Sequence, residues 1–235
     1  MEKDRIKEIL ETYKTANLYS EIIRDRIATE LYLKRVIVGG IEKVYEIGKV
    51  FRNEGLDFYH NPEFTMMESY QAFADYEQVM IMVESLVHEL ALSLTGNSKF
   101  EFENNTVDLT PPWKRLDLRE VIKSASGIDY LDHLEIESLS AEMNKKGLDT
   151  GAQTIWAGLM DKLISLAIEP NLIQPTFLVN YPVAMSPLAK KHREHEGLVE
   201  RFEGFCNQKE ICNAFTELND PIDQRERFEE QLELG

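Results

Sequence analysis

Apolar residues fall at Ile6, Ile9, Leu10 and Tyr13, the i, i+3, i+4, i+7 spacing of a helix with one buried stripe. A second helical stretch, ATELYLKRVIV, runs into Gly39-Gly40, a natural C-terminal stop. The period then shortens. Val44–Arg52 and Phe64–Phe73 are rich in β-branched and aromatic residues and read as two strands joined by the loop NEGLDFYHNP. Asp75 is placed to cap the next helix, whose stripe of Val79, Met80, Val83, Leu86, Val87, Leu90 and Leu94 ends at Gly96. KFEFENNTVDLT alternates around Asn104-Asn105 as a short hairpin. Helices are expected near 117–126, 135–146 and 153–168, then a strand at Thr176–Asn180 and a loop through Pro182 and Pro187. Arg201–Cys206 and Lys209–Leu218 read as a further hairpin, and Pro221 suits the first turn of a last helix. One segment is ambiguous. In KEICNAFTEL, Ile211, Ala214, Phe215 and Leu218 fall at helical spacing, with Glu210, Asn213 and Glu217 opposite them, so periodicity alone favours an amphipathic surface helix. Strands interspersed with helices and joined by hairpins predict an α+β domain around one antiparallel sheet.

Composition narrows the picture. A chain of 235 residues that is 43% hydrophobic and 29% charged can hold a substantial core. No apolar run approaches the roughly 20 residues of a membrane span. The start, MEKDRIKEILETYKT, has no apolar core of a secretory signal, so a cytoplasmic location and no membrane partner are expected. Cys206 and Cys212 form no CxxC, and His192 and His195 form an HxxH without a nearby cysteine, so no structural metal site is expected. The net charge of −16 leaves little for a basic face, so any grip on a nucleic acid must come mostly from elsewhere.

The chemistry concentrates in FRNEGLDFYHNPEFTMMESY. Strand alternation puts Arg52 and Glu54 on one face of the first strand, and Phe64, Glu68 and Tyr70 on one face of the second. An arginine fork, carboxylates and an aromatic ring could seat a nucleotide. From those residue types alone, a half-exposed hairpin with a surface ion pair is the favoured reading.

The order of residues goes further. RIATELYLKRVIVGGIEKVYEIGKVFRNEG followed by HNPEFTMMESYQAFADY resembles motif 2 of the class II aminoacyl-tRNA synthetases, specifically the lysyl type. The resemblance continues through IQPTFLVNYPVAMSPLAKKHRE and ERFEGFCNQKEICNAFTELNDP, and is weakest across 97–150. It implies a single partial catalytic domain, with residues 1–24 a divergent helix and 25–235 the family-like core. Motif 1, the GxGxxR block of motif 3 and the anticodon-binding barrel find no counterpart in these residues.

What the resemblance implies for the site is specific. Arg52 would bridge the lysine carboxylate and the ATP α-phosphate, Glu54 would accept from the adenine amino group, and Phe64 would stack on the ring. His60 would approach the phosphates. Glu203 and Glu210 would hold Mg²⁺ against the triphosphate. Glu30 and Glu217 would face the lysine ε-ammonium, Tyr70, Asn213 and Phe215 would line the pocket, and Glu68 would support it. The implied reaction is ATP-dependent formation of lysyl-adenylate for transfer to tRNA(Lys), with a homodimer as the family's habit. A non-catalytic lysine- and ATP-binding paralogue, or a ligase with another acceptor, is the alternative. The resemblance also implies a strand over Lys209–Leu218. Simple alternation there puts Asn213 and Glu217 on one face and Glu210 on the other, so a bulge or twist is required.

Overall fold

A computed structural model describes residues 27–52, 61–102 and 104–234. The expected helix over Ile6–Tyr13 and the loop residues Glu54 and His60 lie outside them. The chain divides into two compact units, 1–73 and 74–235.

In the first unit, helix α1 (Glu30–Val38) ends at Gly39, and Gly40 adopts φ +97°, a conformation that glycine takes without strain. Strands β1 (Lys43–Phe51) and β2 (Glu63–Gln71) pair antiparallel in unbroken register, from Lys43 opposite Gln71 to Phe51 opposite Glu63. Even-numbered residues of both strands are half-buried or buried, and odd-numbered ones, Tyr45, Ile47 and Met67 among them, are exposed. The alternation seen in the sequence is therefore the alternation of the fold.

The second unit opens with α2 (Tyr76–Thr95). Asp75 accepts from the backbone N–H groups of Glu77 and Gln78, and the Gln78 side chain accepts in return from the Asp75 N–H. This reciprocal capping box satisfies donors that the helix itself leaves open, and Gly96, left-handed, closes the far end. Contrary to expectation, α2 is long and apolar enough to cross a membrane by length and composition. One stripe of it packs with protein: Tyr76, Met80 and Ala91 are buried against Val107, Trp113, Phe177 and Phe202. Midway along, the buried Glu84 accepts from the Trp113 N–H at 2.9 Å and from Arg115 at 3.2 Å.

Strands β3 (Lys99–Phe102) and β4 (Asn105–Asp108) form the next hairpin, with Phe102 opposite Asn105, so Asn105 belongs to the second strand and not to the turn expected around Asn104-Asn105. Then follow β5 (Lys114–Asp117), α3 (Leu118–Ser126), α4 (Ile136–Lys145) and α5 (Trp156–Ala167), close to the three expected helices. β6 (Thr176–Val179), β7 (Arg201–Cys206), β8 (Lys209–Phe215) and α6 (Pro221–Leu234) complete the unit. The sequence pattern did not reveal β5, because KRLD offers a single apolar residue.

The expectation of one antiparallel sheet needs correction. The strands form a β1–β2 sheet, a β3–β4 sheet and a four-stranded sheet in the order β5-β6-β7-β8, in which β5 and β6 run parallel. What holds is a mixed helix-and-strand fold with small antiparallel sheets. The four-stranded sheet packs against helices on both faces. Leu178 and Phe205 point to the cluster built by Leu118, Ile122, Leu139, Met143, Leu159 and Leu163 of α3–α5. Phe177 and Phe202 point to α2.

Candidate functional site

Within the first unit, Arg52 extends the inward face of β1. Its guanidinium carbon lies 5.4 Å from the centre of the Phe64 ring, its Nε donates to the Ile27 carbonyl at 3.3 Å, and an Nη lies 3.7 Å from the Met66 sulfur. These described contacts are a ring, a carbonyl and a thioether, and a guanidinium is the side chain best suited to a phosphate or carboxylate. Glu68, on the same face, accepts from both the Thr29 N–H, at 3.2 Å, and the Thr29 hydroxyl, at 2.8 Å. It thereby ties the first residue of the α1 cap to β2, a supporting role. Glu30 pairs with Lys34 one helical turn away, and the Lys34 ammonium sits 5.6 Å from the Tyr70 ring centre. The carboxylate and the ring expected to meet a lysine ammonium thus meet one belonging to the chain. The i, i+4 spacing of Glu30 and Lys34 was the available signal.

Within the second unit, β7 and β8 carry the remaining candidates. Glu203 pairs with Asn213 and Gly204 with Cys212, but Phe205 pairs with Glu210. Ile211 is the extra residue of a β-bulge. Because of it, Glu210 returns to the face that holds Glu203 and Asn213, and the parity conflict seen in the sequence disappears. Phe215, opposite Arg201, packs half-buried against the α3–α5 core, and Glu217 lies just beyond β8 in a single bridge to Ala189.

Glu203 is held at both oxygens, by the Tyr181 hydroxyl at 2.7 Å and by the Arg201 guanidinium. Loss of hydration, then the Glu203 charge, push the Glu210 carboxyl up to about 7, against a pull from Arg201. Asp161 of α5 and Glu169 just after it are raised for the same two reasons in the same order. Burial and Glu203 also drive the Tyr181 hydroxyl well above its ordinary value. Glu210 and Asp161 nevertheless keep exposed surface, so a cation can reach them. Sequence reasoning missed Tyr181, Arg201, Asp161 and Glu169. Only Arg201, two residues before Glu203 on a strand, left a readable trace.

Among the described residues, no group of three or more His, Cys, Asp and Glu side chains is arranged to hold a metal ion. A pair of hard carboxylate oxygens does fit Mg²⁺, which commonly takes one or two carboxylates and completes its shell with water and substrate phosphates. A separate cleft of about 390 Å³, lined by Tyr76, Arg115, Asn180, His192, Arg193 and His195, contains none of the expected residues. Its arginines are already committed, Arg193 to Asp75 and Glu200 and Arg115 to Glu84.

Residues 7–234 match the tRNA synthetases class II (D, K and N) family. A lysine–tRNA ligase of Dehalococcoides mccartyi is 53% identical over 208 residues, covering 88% of this chain and 42% of its own. The lysine–tRNA ligase of Roseiflexus castenholzii is 52% identical over 206 residues, with the same two coverages, and that of Prochlorococcus marinus 50% over 206 residues, at 86% and 41%. The chain thus spans about 42% of the length of the first of these relatives. With a family match over nearly all its residues and relatives at about half identity, this chain belongs to the class II tRNA synthetases.

Proposed function

We propose that the chain supplies the ATP- and lysine-binding core of a lysine–tRNA ligase, acting in the cytoplasm to form lysyl-adenylate for transfer to tRNA(Lys). The observation that carries this reading is the bulge at Ile211, which gathers Glu203, Glu210 and Asn213 on one face with Arg201 between the first and the last. An odd spacing in sequence has been converted into a shared side, as a site needing both an amide and two carboxylates requires. In this reading the family's larger antiparallel sheet and its homodimer complete the enzyme.

No residue of the chain need become covalently attached to substrate. The lysine carboxylate attacks the ATP α-phosphorus, and the chain's work is positioning and charge stabilisation. Arg52, with a ring, a carbonyl and a thioether as its described contacts, would steady the carboxylate and the α-phosphate as negative charge gathers between them. Phe64 would offer its face to adenine, with Glu54 and His60 in the adjoining loop. Glu203 and Glu210 would hold Mg²⁺, which neutralises part of the triphosphate charge. Glu217 would replace the water lost by the lysine ammonium, with Glu30 and Tyr70 taking part by exchanging the Lys34 ammonium for that of the substrate, and Asn213 and Phe215 would set the pocket's shape. An acidic pocket repels aspartate, and asparagine would leave its carboxylates without a cation.

Calorimetry with the purified chain, together with lysine-dependent exchange between pyrophosphate and ATP, tests this. Lysine should bind and asparagine should not. Glu217→Gln should weaken lysine by about 2–5 kcal/mol, the range for removing one member of a buried charged pair. Equal affinity for lysine and asparagine, or a Glu217→Gln chain that binds as tightly as the parent, would refute the assignment.

A further inference from the structure

Arg201 has several partners on the candidate face, and they belong to different halves of the proposed chemistry. Its Nε donates to the Asn213 side-chain oxygen at 3.2 Å, and an Nη reaches a Glu203 oxygen. The other Nη donates to the Met185 carbonyl at 2.7 Å and to the Ser186 hydroxyl at 2.8 Å. The guanidinium carbon lies 4.6 Å from the centre of the Tyr181 ring, and Tyr181 in turn donates to the second oxygen of Glu203. The Arg201 and Glu203 side chains are each only 13% exposed.

A planar guanidinium fixed at three nitrogens cannot swivel without breaking several bonds at once. We propose that Arg201 is a positioning residue that locks the metal-side carboxylate, Glu203, and the lysine-side amide, Asn213, into one frame. This rests on the ligase reading given above. Each carboxylate oxygen retains a lone pair while accepting one hydrogen bond, so Glu203 can be oriented by Arg201 and Tyr181 and still face a cation. Tyr181 serves one side of the frame alone, because its hydroxyl touches Glu203 and not Asn213.

The two residues therefore separate by experiment. Lysine binding is measured by calorimetry without metal, and Mn²⁺ binding by electron paramagnetic resonance with a nonhydrolysable ATP analogue, on the purified chain. Arg201→Lys keeps the charge and loses the fork. It should weaken both lysine and Mn²⁺ by about 10–100-fold, the usual effect of losing a partner that orients a metal ligand. Tyr181→Phe keeps the ring and should weaken Mn²⁺ alone. Millimolar methylguanidinium should restore part of the lysine affinity to Arg201→Ala, a recovery that a merely structural role would not give. If Arg201→Lys folds as the parent does and leaves lysine within twofold, the frame is refuted. If Arg201→Lys fails to fold, Tyr181→Phe decides: loss of lysine affinity to the same extent as Mn²⁺ affinity overturns the proposal. A parent chain that binds neither ligand removes the ligase reading, and this inference with it.

Discussion

Asp129 illustrates how much one side chain can organise. Its two oxygens accept from Arg119 at 2.8 and 2.7 Å, and one of them also accepts from Lys123 at 3.1 Å. Its carboxylate caps the following turn at Leu131 as well. The Arg119 hydrogen bonds, set against some loss of hydration, hold the carboxyl far below its ordinary value of 3.8. A depressed folded value stabilises the fold fully above the unfolded one, and that contribution is lost as pH falls through the folded value. Asp129→Asn should therefore lower the melting temperature at pH 7 by about 2–4 °C, the shift that about 1 kcal/mol produces in a domain of this size. The gap between variant and parent should close as the solution is taken well below pH 3.8. A gap that stays constant across that window would rule out the carboxylate as its source. Single residues of this kind were the least legible part of the sequence. Tyr181 and Arg201 act through partners up to 22 positions away, and no local spacing announces such a meeting.

Elements announced themselves wherever their ends carried chemistry. Asp75 and Gly96 bound α2 at the positions the sequence indicated, and alternation located β1 and β2 to within a residue or two. β8 was harder for a physical reason. One inserted residue in a period of two puts Glu210 and Asn213, three apart, on the same side, which is also how a helix places them. Periodicity therefore favoured a helix, and only the resemblance to a family pointed to the strand that forms. The turn before β8 is strained for its residue types, since Asn207 and Gln208 adopt φ +49° and +67°. Asparagine tolerates that region and glutamine does so poorly. Gln208→Gly should stabilise the chain by about 0.5–1 kcal/mol in a urea titration, after loss of the Gln208 hydrogen bond to Pro170. A lower urea midpoint would mean that the bond to Pro170 outweighs the backbone strain.

At the scale of the molecule, the excess of 42 acidic over 26 basic residues sets how the chain meets polyanions. Phosphate contacts supply nearly all non-sequence-specific affinity for RNA. Filter binding with an unrelated RNA at about 0.15 M salt should therefore show affinity weaker than the roughly 10⁻⁴–10⁻⁶ M typical of basic proteins. Tight, salt-sensitive retention would reveal a basic face that the overall charge conceals. The order of the four-stranded sheet has a consequence of another kind. β5 pairs in parallel with β6, and the two meet at Lys114 and Thr176, 62 positions apart, with α3, α4 and α5 between them. A ribosome that has released β5 has made a strand without a neighbour, and three helices must follow before its first partner exists. The helices in that interval bury their stripes against the very sheet that is still missing, so strand and helices are mutual prerequisites. Assembly of this unit is therefore governed by the closing of one long loop, and a nascent chain halted before Thr176 would carry β5 and three helices with their common surface still exposed to whatever binds apolar faces in the cell.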